Sequence, residues 1–358
     1  MEAMVDALSK EIALSREFLG ARPVHTIYLG GGTPSLLRDR DLDRLLRELA
    51  AHHVIGDGAE ITLEANPDDI SPGRLEAWKA AGINRLSIGV QSFRDEDLRW
   101  MNRTHSGAQA MEAIRSARNA GFGHDSIDLI YGTPGLSDEA LRENIAAVIS
   151  LGCRHLSCYA LTVEPKTALA SDIQKGKMPP TDPEQQAHQF LLLTDLLTAA
   201  GYEHYEISNF ALPGHRSRHN SSYWQGVPYL GLGPSAHSFD GRVRRWNIAN
   251  NALYIQSLAG NVLPFEEEIL TPTQQLNEYI MTALRTMEGL NLQKVAADWG
   301  MPARERLVRE SRVFLERGWM EGRPETLVLS REGKLFADGI ASDLFAEEPP
   351  AAPPKPAR

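Results

Sequence analysis

Apolar and polar positions along the first two-thirds of the chain follow two alternating patterns. Short β-rich runs at residues 26–30, 60–65, 85–91, 126–131, 155–161 and 204–208 predict six strands. Between them, apolar residues recur at helical spacing, as in Val5, Leu8, Ile12 and Leu19, or Leu42, Leu45, Leu46 and Leu49. Boundary signals support these helices. Ser71-Pro72 places a capping serine before proline at the first helical position, and Gly82 closes that helix. Ser137 opens another that ends at Gly152. Thr181-Asp182-Pro183-Glu184 reads as a capping box led by Thr181, ahead of a helix ending at Gly201. Strands alternating with helices predict a parallel α/β layout, and either an open doubly wound sheet or a barrel satisfies the pattern.

From about residue 265 the pattern changes. Leu276, Ile280, Ala283, Leu284 and Met287 form one helical stripe. Helices over 290–299 and 304–318 follow, then a hairpin over 319–329 turning at Gly322-Arg323-Pro324, then a helix from Ser330. Three helices and a hairpin predict an α+β module of winged-helix type. Residues 266–345 hold ten Lys/Arg against fourteen Asp/Glu, which argues against a nucleic-acid partner and for a structural or docking role. The last twelve residues contain five prolines and are expected to be disordered.

Composition narrows the class. Apolar residues make up 42% and charged residues 23%, an ordinary globular balance, and the formal charge is -10. No apolar run is long enough for a transmembrane segment. Residues 1–20 carry six charged side chains, unlike a signal peptide, so a cytoplasmic location is expected. Two cysteines cannot build a disulfide framework.

Several polar residues stand where a parallel sheet gathers its ligands. Gly30-Gly31-Gly32-Thr33-Pro34 follows the first predicted strand, and its spacing is not that of a dinucleotide fingerprint. It is either a tight strand-to-helix turn or a loop whose N–H groups meet an anionic ligand. Glu64 and Gln91 end the next two strands and Asp128 lies in the fourth. Polar groups near the C-terminal ends of successive parallel strands converge on one site.

The runs IYLGGGTPSLL, LEANPDD, AGINRLSIGVQSF, NRTHS, IDLIYGTPG, SCYALTVEPKT, YEHYEISNFALPG, RHNSSYW and GLGPSAHSF resemble the radical S-adenosylmethionine (SAM) family of oxygen-independent coproporphyrinogen oxidase-like proteins. The resemblance spans nearly the whole chain before the proline tail, and the haem-chaperone branch, HemW, is the most similar. It implies a radical SAM (β/α) barrel at 1–212, a haem-motif connecting segment at 213–265 and the winged-helix-like domain at 266–345. It also implies that Gly31, Gly32 and Thr33 contact the methionyl part of SAM. Glu64 and Asp128 would take its nucleoside part, with Gln91 and Arg103 as further SAM contacts. His219-Asn220-Ser221-Ser222-Tyr223-Trp224 matches the branch's HNxxYW motif. There His219 is the expected haem-iron ligand, with Asn220, Tyr223 and Trp224 beside it and His237 as a second candidate. Haem is the expected cargo and a haem-accepting protein the expected partner. No catalytic residue is assigned. The alternative activity within the family is radical decarboxylation by a coproporphyrinogen III oxidase, and an inactive remnant is the third reading.

One departure accompanies the match. The family holds a [4Fe–4S] cluster with CxxxCxxC after the first barrel strand, whereas this chain has only Cys153 and Cys158, expected to be small core residues. The chain also opens on a helical pattern with no strand before it. The expectation is therefore a partial barrel that lacks its first strand and begins just past the cluster motif.

Overall fold

The computed structural model describes residues 1–123 and 125–347. Most of the proline-rich tail lies outside the described residues. The described chain divides into two units: one comprises residues 1–222, 232–234 and 248–264, the other residues 223–231, 235–247 and those from 265 onward.

The first unit is built on a seven-stranded sheet. Its strands are β1 (Val24–Leu29), β2 (Ile55–Ala65), β3 (Arg85–Gln91), β4 (Ser126–Tyr131), β5 (His155–Ala160), β6 (Glu203–Glu206) and β7 (Asn209–Ala211), in the order β1-β2-β3-β4-β5-β7-β6. The first five are parallel, as the alternation of strands and helices predicted, and form a curled half-barrel. The helices of this unit are α1 (Glu2–Leu14), α2 (Asp39–His52), α3 (Pro72–Ala80), α4 (Asp95–Trp100), α5 (Gly107–Asn119), α6 (Asp138–Ser150), α7 (Ala168–Gln174), α8 (Pro183–Ala199) and α10 (Asn251–Ala259), and α9 (Arg218–Trp224) begins in it.

Alternation along the strands separates core from site. Leu63, Leu86, Ile88, Ile127, Leu129 and Leu156 are fully or almost fully buried on one face. Thr62, Glu64, Arg85, Ser87, Gln91, Ser126, Asp128, Ser157 and Tyr159 occupy the other, at the period of two that a strand imposes. Cys153 and Cys158 are buried and unbridged, as expected of core thiols. Val5 and Ile12 of α1 pack with Leu45 of α2, and Tyr254 of α10 donates to the buried Glu11 carboxylate.

In the first unit, three boundaries differ from the sequence pattern. The run at 204–208 is no sixth parallel strand. It forms the β6–β7 hairpin, whose β7 pairs antiparallel with β5, and Glu206 accepts the Ser208 N–H at 3.0 Å across the turn. Helix α1 ends at Leu14, so Leu19 is not on its face. Helix α8 is capped by Asp182 rather than Thr181, because the Asp182 carboxylate accepts from the N–H groups of Glu184 and Gln185 while Pro183 fills the first helical position.

The second unit contains a three-stranded sheet of β8 (His237–Phe239), β9 (Val243–Asn247) and β10 (Phe265–Ile269). A helical module follows: α11 (Pro272–Leu284), α12 (Leu292–Trp299), α13 (Met301–Glu310), α14 (Arg312–Glu316) and α15 (Ala337–Asp343) around strands β11 (Leu290–Asn291), β12 (Met320–Arg323) and β13 (Thr326–Leu329). The predicted helix over 304–318 is split at Ser311. The hairpin turns at Pro324-Glu325, since Gly322 and Arg323 pair in the ladder and proline cannot donate to it.

Candidate functional site

A cleft of about 410 Å³ opens in the first unit on the polar face of the parallel strands. Strand register explains its lining. Tyr28, Thr62 and Arg85 sit level across β1, β2 and β3, Glu64 lies opposite Ser87, and Asp128 opposite Ser157. Of the residues singled out in the sequence, Gly32, Thr33, Glu64, Gln91, Arg103, Asp128 and Asn220 line this one cleft. Gly31 reaches it through its backbone, donating its N–H to Glu64 Oε2 at 3.0 Å.

The glycine loop has a steric cause. A Cβ on Gly30 would stand 2.6 Å from the Tyr28 ring and 2.9 Å from Glu64 Oε1, so only glycine leaves room for the bond between those two side chains. Gly31 and Gly32 adopt positive φ, and so do Thr33 (64°) and Gln91 (67°). A left-handed β-branched residue and a left-handed glutamine, both on the cleft wall, are the local strain that ligand sites tend to concentrate.

The electrostatics are those of a polar, partly dehydrated chamber. Burial, then the neighbouring Glu64 carboxylate, pushes Asp128 up to about 7, while Ser157 and Ser87 hydroxyls partly oppose this. The Thr62 hydroxyl and one terminal nitrogen of Arg85 are buried on the cleft wall with no hydrogen-bond partner among the described residues. Arg85 faces Glu60 at 3.8 Å. Two carboxylates, two guanidiniums and several hydroxyls suit a small ligand carrying hydroxyls and both signs of charge.

His219 lies in the same unit. Glu60 accepts from the N–H groups of His219 (2.9 Å) and Arg218 (3.2 Å) and so fixes the start of α9. The imidazole stacks on Tyr28 with ring centroids 4.8 Å apart, and its Nδ1 is 2.9 Å from Thr26 Oγ1. Burial pushes it down to about 4, so it is neutral at ordinary pH. Tyr223 and Trp224, at the end of α9, belong to the second unit. Tyr223 meets Tyr229 edge-on at 4.7 Å, and Trp224 lies under the Arg285 guanidinium at 5.2 Å. His237 is exposed at the start of β8, tilted against Trp246 at 6.4 Å.

Sequence reasoning passed over Tyr28, Thr62, Arg85, Ser87, Ser126 and Ser157. Their signal was available: polar residues every second position within otherwise apolar strands. No cluster of three or more metal-ligating side chains occurs among the described residues. Burial pushes the Cys153 thiol up to about 12 and raises Cys158 as well, so neither is poised to ligate iron. The residues present therefore do not fit a [4Fe–4S] cluster.

Comparison with known proteins agrees with this fold. Residues 8–148 match the Radical SAM superfamily and residues 270–336 the HemN C-terminal domain. The chain is 38% identical over 342 residues to the haem chaperone HemW of Mycobacterium tuberculosis, covering 95% of this chain and 85% of that protein. It is 32% identical over 351 residues to HemW of Bacillus subtilis, covering 97% and 92%. The solved structure of coproporphyrinogen III oxidase (HemN) from Escherichia coli superposes with a TM-score of 0.82 at 24% identity, covering 96% of this chain and 83% of that one, which shows the shared fold. With this parallel half-barrel and relatives at that identity over almost its full length, the chain belongs to the HemW haem-chaperone family of the radical SAM superfamily.

Proposed function

We propose that this chain is a cytoplasmic haem carrier that binds haem as cargo through the segment around His219 and passes it to an acceptor protein, with SAM held in the cleft. The observation that carries the reading is the state of His219. Within the HNxxYW run, it is a neutral imidazole at ordinary pH, set in orientation by Thr26 and Tyr28. A neutral imidazole is what an axial iron ligand must be, and when Nδ1–H donates to Thr26 the lone pair lies on Nε2. Asn220 follows His219 in the same unit, and Tyr223 and Trp224 continue the motif in sequence.

The cleft residues divide by chemistry. The Glu64 and Asp128 carboxylates accept ribose hydroxyls, the left-handed Gly31-Gly32-Thr33 loop approaches the methionyl end, and Arg103 pairs its carboxylate, with Gln91 as a further contact. When bound, SAM supplies a sulfonium and a nucleoside; the chain's own residues bind and orient it. The 38% identity to a haem chaperone over 95% of the chain favours a carrier over a porphyrinogen decarboxylase.

The test is titration of the purified chain with ferric haem, followed by mixing with a haem-free haem protein. A saturable Soret band that moves to the acceptor, and that weakens at least tenfold in affinity in His219→Ala, is the expected result. Absence of saturable binding overturns the reading and leaves the inactive remnant. Unchanged affinity in His219→Ala with a loss in His237→Ala moves the ligand to β8.

A further inference from the structure

Tyr28 stands between the cleft and His219. One face of its ring carries the imidazole, with the planes 18° apart, and its hydroxyl donates to Glu64 Oε1 at 2.8 Å. The other oxygen of Glu64 holds the Gly31 N–H. Thr26, two residues earlier on β1, fixes His219 Nδ1, and Glu60, four residues before Glu64 on β2, fixes the backbone of His219. The orientation of His219 is thus set by the two strands that form one wall of the cleft. One link in that arrangement, Tyr28 to Glu64, uses an oxygen that a ligand in the cleft would also use.

We infer that Tyr28 is a positioning residue that couples occupancy of the cleft by a hydroxyl-bearing ligand such as SAM to the haem affinity of His219. The inference rests on the haem and SAM assignments above. A ligand hydroxyl donating to Glu64 Oε1 competes with the phenol. Once the bond is lost the phenol keeps the Ser87 hydroxyl as a partner but loses its anchor on Glu64, so the ring can turn out of its stack and the imidazole loses one of the surfaces that preorganise it for iron. Filling the cleft therefore weakens haem binding. By linkage, haem weakens SAM binding by the same factor. The arrangement would give the carrier a release signal within one unit of the fold.

The experiment uses the full chain, wild type and Tyr28→Phe, which keeps the ring and removes only the hydroxyl. Ferric haem is titrated with and without saturating SAM, and the Gly31 amide and His219 ring resonances are followed by NMR as SAM is added without haem. In the wild type, SAM should raise the haem Kd about 5-fold, and haem should raise the SAM Kd equally. Tyr28→Phe should bind haem at the weakened level with no further effect of SAM. In the haem-free NMR arm, SAM should move Gly31 and His219 together in the wild type and Gly31 alone in the variant. A SAM effect that survives in Tyr28→Phe, or a filled cleft with an unmoved His219 ring or unchanged haem affinity, overturns the role of Tyr28. An unmoved Gly31 amide removes SAM from the cleft and the coupling with it. No haem binding alongside the expected Gly31–His219 response refutes the carrier reading while leaving Tyr28 as the link between cleft and helix.

Discussion

Replacing Asp128 with asparagine isolates the electrostatic character of the cleft. The carboxyl titrates at 3.8 when exposed and at about 7 in the fold, a rise of about three units. At about 1.4 kcal/mol per unit this is about 4 kcal/mol of stability lost as the pH rises from about 4 to about 7. The sign follows from proton uptake. The unfolded chain releases this proton near pH 4 and the folded chain holds it to near pH 7, so the contribution is fully present below the unfolded pKa and gone above the folded one. About two of the three units fall between pH 5 and pH 7, which caps the effect there at about 3 kcal/mol, and water in the cleft beside this half-buried side chain lowers it to roughly 1–2 kcal/mol. Urea unfolding at about pH 5 and about pH 8 measures it. The wild type should lose that much more stability over the interval than Asp128→Asn, with all other titrations cancelling in the difference. Equal losses in the two proteins would refute the claim that Asp128 is protonated in the empty cleft. The same reasoning makes SAM binding release a proton below about pH 7, because ribose hydroxyls favour the ionised carboxylate.

Three further outcomes follow from particular contacts. Haem binding should persist down to about pH 5 and fail near pH 4, because burial holds His219 neutral until then; a midpoint near 6.5 would show an exposed imidazole instead. Gly30→Ala should weaken SAM binding at least tenfold, since its Cβ would collide with Tyr28 and Glu64, and an unchanged Kd by calorimetry would remove that contact from the site. Anaerobic iron–sulfur reconstitution of the 358-residue chain should leave no [4Fe–4S] absorption, because Cys153 and Cys158 are buried core thiols; a stable cluster would refute that assignment.

Much of the fold was legible because the signals were local. Pro72 after Ser71 and Ser137 before α6 mark helix starts that the structure keeps, and the Ser137 hydroxyl accepts the Ala140 N–H as a cap should. Glu64, Gln91 and Asp128 could be placed together because parallel strands bring their C-terminal ends to one edge of the sheet. The β6–β7 hairpin was not legible, because residues 204–208 carry a strand pattern whose direction depends on pairing with β5. Tyr28 and Arg85 were missed because both look like ordinary strand residues until register aligns them with Thr62. The separation of Tyr223 and Trp224 from His219 into another unit depends on long-range contacts, which periodicity does not record.

The measurement closest to the central claim is pulsed electron paramagnetic resonance of the ferric-haem complex prepared with ¹⁵N-labelled histidine. The account predicts hyperfine coupling from one imidazole nitrogen that disappears in His219→Ala and is retained in His237→Ala. A histidine coupling that survives in His219→Ala, or none in the wild type, would contradict it.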